Sequence, residues 1–135
     1  MPGLALLAPI PAVHLDDAIE VLATKEFVLF GSGAFDVFQK AEHGCLVYIY
    51  RSHENADPTV TYKAKYFGIV GEPLTMRKLE RDGYRPRSTH GEKWPFYWKV
   101  SDIVALEKPM PLSDIQLASG SYLQGYPHGP MFVVS

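Results

Sequence analysis

The chain is short of cysteine, of surplus charge and of long apolar runs, and each shortage excludes something. Its one cysteine, Cys45, has no partner within the chain, so no disulfide framework holds the fold. It lies in the apolar run Cys45-Leu46-Val47 and reads as a buried, inert thiol rather than a nucleophile, which suits a reducing, cytoplasmic setting. A net charge of −2 excludes a generally basic nucleic-acid coat but leaves room for a local basic face. The apolar segment Gly3-Leu4-Ala5-Leu6-Leu7-Ala8 is too short to span a membrane, lacks a basic flank and stops at Pro9. It reads as a strand, and no membrane partner is expected. The five histidines, His14, His43, His53, His90 and His128, show no spacing typical of metal ligands, so neither a metal nor any other cofactor is expected.

Turn formers and aromatic residues are plentiful. Eleven prolines and eleven glycines among 135 residues favour many short elements, hence a mainly β or α+β architecture over a helical bundle. The length suits a single domain, residues 1–135, that buries roughly two-thirds of its unfolded surface. Leu4 to Ala8 is the first expected strand, closed by Pro9-Ile10-Pro11. Leu15, Ala18, Ile19 and Leu22 mark one helical face, with Asp16 and Asp17 suited to the positive end of the helix dipole.

Phe27 to Phe30 is a second strand ending in Gly31-Ser32-Gly33, either a plain tight turn or a nest of backbone N–H groups for an anion. Phe35, Phe38 and Ala41 fit one or two helical turns, and Leu46 to Tyr50 is strongly strand-like. His53 to Pro58 reads as a polar hairpin loop. Val60 to Val70 is a long strand with a wet face carrying Lys63 and Lys65. Leu74 to Asp82 is a helix with Thr75 as its expected N-cap and Gly83 as its stop. Phe96, Trp98 and Val100 alternate with Tyr97 and Lys99 along a strand that Asp102 interrupts. The apolar run Ile103 to Leu106 follows, up to Pro109 and Pro111. Leu112 to Ile115 opens a short helix, and Met131 to Val134 is the last strand.

The order of these elements resembles the PUA-like superfamily, most closely its EVE and ASCH branches. Gly44-Cys45, the apolar run and Tyr50-Arg51-Ser52 are similar to the EVE "Gly-Asp, apolar run, Tyr-His-Ser" strand. Phe67-Gly68-Ile69-Val70-Gly71-Glu72-Pro73 resembles its returning strand, and Trp98 to Leu112 its tryptophan-led strand with a proline stop. The likeness spans nearly the whole chain as a pattern of elements. It implies a small β-barrel of about five to seven mostly antiparallel strands with two or three short helices. It also implies nucleic-acid binding, as EVE and the related YTH domains hold one modified base in an aromatic pocket. Two departures matter. The EVE Val-Arg-Asn segment is replaced by Gly31-Ser32-Gly33-Ala34-Phe35. The ASCH amidohydrolase Lys and Thr are only approached by Thr24-Lys25-Glu26, with the threonine on the wrong side of the lysine.

The residues themselves offer the same chemistry. Trp94, Trp98, Tyr97, Tyr48 and Tyr50 read either as core or as stacking platforms for a base. From Arg77 to Lys99 there are seven basic residues against three acidic, whereas the rest of the chain has six against twelve. Arg77, Lys78, Arg81, Arg85, Arg87 and Lys93 of that arm are candidate phosphate contacts, joined by Gly31, Ser32 and Gly33, unless the arm is merely a solvated face. Arg51, Ser52, Ser88 and His90 are further candidates for a pocket wall. A competing reading is an ASCH-like amidohydrolase for acylated nucleosides using Lys25 with Glu72 or Glu26. Another is a protein-interaction module presenting Tyr122 and Tyr126; a protein partner and oligomeric state are not legible here.

Overall fold

The computed structural model describes residues 3–52 and 59–135; the expected hairpin loop at 53–58 lies outside them. Six strands and three helices follow in the order β1 (Leu4–Pro11), α1 (Ala12–Leu22), β2 (Val28–Ser32), α2 (Phe35–Lys40), β3 (Leu46–Ser52), β4 (Thr59–Val70), α3 (Pro73–Arg81), β5 (Phe96–Pro111) and β6 (Met131–Val134). One sheet takes them all, in the order β2-β5-β4-β3-β1-β6. It is mixed: β1 and β3 run parallel, joined through α1, β2 and α2, while the other neighbours are antiparallel. The result is a small α+β domain. The expected closed, mostly antiparallel barrel is corrected to an open mixed sheet, since among the described residues β2 and β6 remain its two edges.

Local chemistry accounts for most element boundaries. In α1, Leu15 and Ala18 are fully buried, as the spacing predicts, but the helix begins at Ala12. Asp16 and Asp17 therefore lie beyond its first turn, and in place of the expected dipole role Asp16 stands 3.6 Å from Arg51 while Asp17 accepts from Ser88 N–H at 2.9 Å. In α3, Pro73 occupies the first turn and the cap is Glu72, not Thr75. The Glu72 carboxylate accepts from the N–H groups of Leu74 at 3.0 Å and Thr75 at 2.7 Å, and from the Thr75 hydroxyl at 2.8 Å. Strand β5 runs unbroken through Pro109. Asp102 does not end it but forms a bulge with φ 54°, a conformation aspartate tolerates better than most residues.

Strand β1 likewise continues past Pro9 to Pro11, and its hydrogen-bonding phase explains why. The Gly3 carbonyl accepts from Ser135 N–H, so Gly3, Ala5 and Leu7 turn their backbone groups toward β6. Pro9 and Pro11 are in the same phase, but β6 pairs only as far as Leu7. Their missing N–H groups point where no strand accepts them.

Repeated register shifts between β4 and β5 bend the sheet, one of them beside Gly68 with φ 103°. As a result Val28 and Phe30 of β2 share one core with Leu6, Ala8 and Ile10 of β1, although the two strands lie far apart in sheet order. Trp98, 2% exposed, stacks on Phe38 there with centroids 4.6 Å apart. The opposite face carries two smaller clusters. Ala5, Leu7, Tyr50 and Val133 pack under Leu112, Ile115 and Leu123, while Leu29, Val70 and Tyr97 pack under Met76, Leu79 and Tyr84.

Candidate functional site

Where β2 faces β1 without pairing, a cleft of about 760 Å³ opens. One wall is Ala8 to Pro11 of β1 with His14 of α1. The other is Phe30 to Ala34 with Trp94, and Pro127 to Pro130, ahead of β6, close one side. Trp98 reaches its floor, and Ser52, Thr89 and Glu92 complete the lining. Leu29 N–H is directed away from β5, to the Tyr84 carbonyl at 2.8 Å. Two residues on, Gly31 is in the same phase, so its N–H and C=O also leave the sheet on that side, toward the cleft.

The glycine at position 31 is required by close approach. A Cβ there would fall inside the Trp94 indole, 2.7 Å from Nε1 and nearer still to Cγ and Cδ1. Trp94 therefore lies directly on the β2 backbone with 43% of its surface exposed. Its indole N–H donates to Glu92 Oε2 at 3.3 Å, while Glu92 Oε1 stands 3.6 Å from His14 Nε2. On its other side the His14 ring meets the Ser88 hydroxyl, with Nδ1 to Oγ 2.7 Å, and Ser88 N–H donates to Asp17 at 2.9 Å. A chain of polar contacts thus ties α1 to the loop before β5 and fixes the tilt of both Glu92 and Trp94.

Arg85 organises that loop from within. It is 3% exposed, its guanidinium lies 4.6 Å from the Tyr97 ring centroid, and it pairs with Glu80 at 3.1 Å. It also donates to the Thr89 carbonyl and, at 3.1 Å, to that of Glu92. The expectation of a phosphate contact gives way for this residue: its charge is used to hold the loop. Of the remaining basic arm, Arg87 and Lys93 are exposed on the loop whose residues Thr89, Glu92 and Trp94 line the cleft. Arg77, Lys78 and Arg81 are exposed on α3, which packs over the outer cluster rather than in the cleft wall.

The structure thus gathers Trp94, Trp98, Gly31, Ser32, Gly33 and Ser52 at one cleft. It separates the others. Tyr97 is buried in the outer cluster, its hydroxyl donating to the Glu92 carbonyl at 3.3 Å, and Tyr48 and Tyr50 pack on the C-terminal segment. Arg51 lies 3.6 Å from Asp16, Ser88 stands behind His14, and His90 is exposed outside the lining. Lys25 rests 5.1 Å from the Tyr84 ring centroid and Glu72 is engaged as the α3 cap, so neither belongs to the cleft. The Glu72 carboxyl is held below its ordinary value, first by the Leu74 and Thr75 N–H groups.

Cys45 is half-buried rather than buried as expected; burial, and secondarily Glu42, still pushes its thiol up. Among the described residues no three His, Cys, Asp or Glu side chains converge as a metal site requires. Nor is any helix among them long and apolar enough to cross a membrane. His14, Glu92, His128 and the two β1 prolines are lining residues that sequence reasoning missed. The chain matches no protein-family model and no curated protein.

Proposed function

We propose that this chain is a PUA-like module that binds nucleic acid without catalysis, taking one unstacked base into the cleft between β1 and β2. The observation that carries this reading is Trp94: a large aromatic side chain left half-exposed, packed directly against a glycine backbone and held by Glu92 in the lining of a cleft that Phe30 and Trp98 also line. An exposed, pre-positioned indole is what a stacking platform requires, since every base has a π-face and the side chain loses little freedom on binding. The cleft volume falls within the range of small-ligand sites. Arg87 and Lys93, exposed on the same loop, are placed to meet phosphates on either side of a base drawn out of its stack. The shared core across the β1/β2 gap supports the PUA-like reading of the fold, as a barrel opened along one seam.

The test separates stacking from phosphate contact. Trp94→Ala is expected to weaken binding of short single strands by about 1–3 kcal/mol. Arg87→Ala and Lys93→Ala should instead weaken all strands alike and flatten the salt dependence, each by about 0.7–0.9 in the slope of log K against log salt. Failure of every oligonucleotide to bind at low salt would end the reading.

A further inference from the structure

The cleft lining holds one carboxylate, Glu92, and that group discriminates between bases. Gly31 and Pro9 also turn backbone carbonyls to the open side, the proline with no N–H of its own. The Pro11 carbonyl, at the N-cap of α1, is taken up by the helix. Donors are at hand in Gly31 N–H and the hydroxyl hydrogens of Ser32 and Ser52, and the His14 and His128 rings share the lining. The Ser32 oxygen already accepts from Ala34 N–H at 3.0 Å, which leaves its hydrogen to give.

Glu92 is held but not saturated. Its two neighbours stand at 3.3 Å (Trp94 Nε1) and 3.6 Å (His14 Nε2), both longer than a charge-assisted bond of roughly 2.7–2.9 Å. The carboxylate is oriented by the wall and keeps lone pairs for a ligand.

We infer that the occupant of this cleft is guanine, with Glu92 accepting from N1–H and the N2 amino group; this rests on the nucleic-acid reading above. Only guanine presents two adjacent donors on one edge, the pattern a carboxylate accepts as a pair. Adenine and cytosine place a ring-nitrogen acceptor beside their amino group, and uracil or thymine flanks its single N–H with two carbonyls. Each of those sets a lone pair against the carboxylate. The remaining acceptor of guanine on that edge, O6, needs one donor, and Gly31 N–H and Ser32 supply candidates. Trp94 supplies the stacking face.

The experiment compares uridine strands carrying a single central guanine, inosine, adenine or cytosine, with tryptophan fluorescence as the readout. The guanine strand should bind about tenfold or more tightly than the adenine and cytosine strands, with inosine, which lacks the N2 amino group, in between. In Glu92→Gln the guanine advantage should collapse toward the other strands, because an amide cannot accept both donors. Equal binding of all four strands by the wild-type protein overturns the guanine assignment and leaves the nucleic-acid reading standing. A guanine preference that survives in Glu92→Gln overturns the role of the carboxylate. Absence of binding by any strand overturns the nucleic-acid reading and this inference with it.

Discussion

Arg85 provides a sharp division between two roles for a basic residue. Its replacement by alanine removes the donors to the Thr89 and Glu92 carbonyls, the pairing with Glu80 and the contact with the Tyr97 ring. The Glu92 carbonyl keeps the Tyr97 hydroxyl at 3.3 Å, and Glu80, about two-fifths exposed, rehydrates. The Thr89 carbonyl keeps the Glu92 N–H at 3.0 Å but loses a bond from a charged donor, at a cost of about 1.5–3 kcal/mol, and the lost cation–ring contact adds about 1–2. Removing a buried guanidinium whose Nε has no partner offsets part of this. A net loss of about 3 kcal/mol follows, and at an unfolding entropy of ~2.1 cal/mol/K per residue it lowers Tm by roughly 10 °C. The assay is thermal unfolding of Arg85→Ala and Arg87→Ala beside salt titrations of binding. Arg85→Ala should lose stability and, where folded, keep the wild-type salt slope; Arg87→Ala should do the reverse. An Arg85→Ala protein with unchanged Tm and a shallower slope would refute the reasoning.

Two further outcomes follow from the geometry. Gly31→Ala drives a methyl into the Trp94 indole, so Trp94 should leave the cleft wall; its emission should shift to the red with far-ultraviolet circular dichroism preserved, and an unshifted spectrum would contradict the packing. Tyr66 donates to the Phe38 carbonyl at 2.6 Å, and burial, with a smaller contribution from Cys45, pushes its hydroxyl up to about 12 from 10.0. Because the folded value lies above the unfolded one, the stabilisation is complete below pH 10 and is lost as pH rises through about 12. Alkaline unfolding followed at 295 nm should be shallower in that window for Tyr66→Phe.

What could be read in the sequence was what repeats locally. Of the expected helical face, Leu15 and Ala18 are buried and Leu22 packs against the core, while Ile19 is exposed; the alternation of Phe96, Trp98 and Val100 is buried throughout, as spacing alone reveals. The glycine pair flanking Ser32 was noticed as well, but as a loop. Pairing of Gly31 with Tyr97 and of Ser32 with Phe96 instead draws both into β2. Glu72 was overlooked as a cap because glutamate is not a favoured N-cap, although Pro73 marks the start of the helix. Arg85 is hidden from a sequence reading for a different reason. An arginine in a loop is usually solvated, and only the fold brings two carbonyls, Glu80 and an aromatic ring around it. His14 and Glu92 come from opposite halves of the chain, and no local pattern announces that they meet.

The cleft lies where the sheet curves toward closure without closing, and the sequence contains the cause. To pair with the free edge of β2, β1 would have to offer donors at positions 9 and 11, the phase in which its backbone turns outward beyond β6. Both positions are proline, so neither donor exists. On the opposite side, Gly31 exposes its own backbone groups and admits Trp94 onto the strand, in the space a larger side chain would occupy. Register shifts in β4 and β5 bring the two edges around one core, and the prolines deny them a ladder. The same residues that keep the seam open also set its chemistry. Pro9 on one bank has a carbonyl without an N–H, and Gly31 on the other admits the half-exposed Trp94 indole. Fold and cleft therefore share one origin: the residues that keep the two strands unpaired also line the space between them.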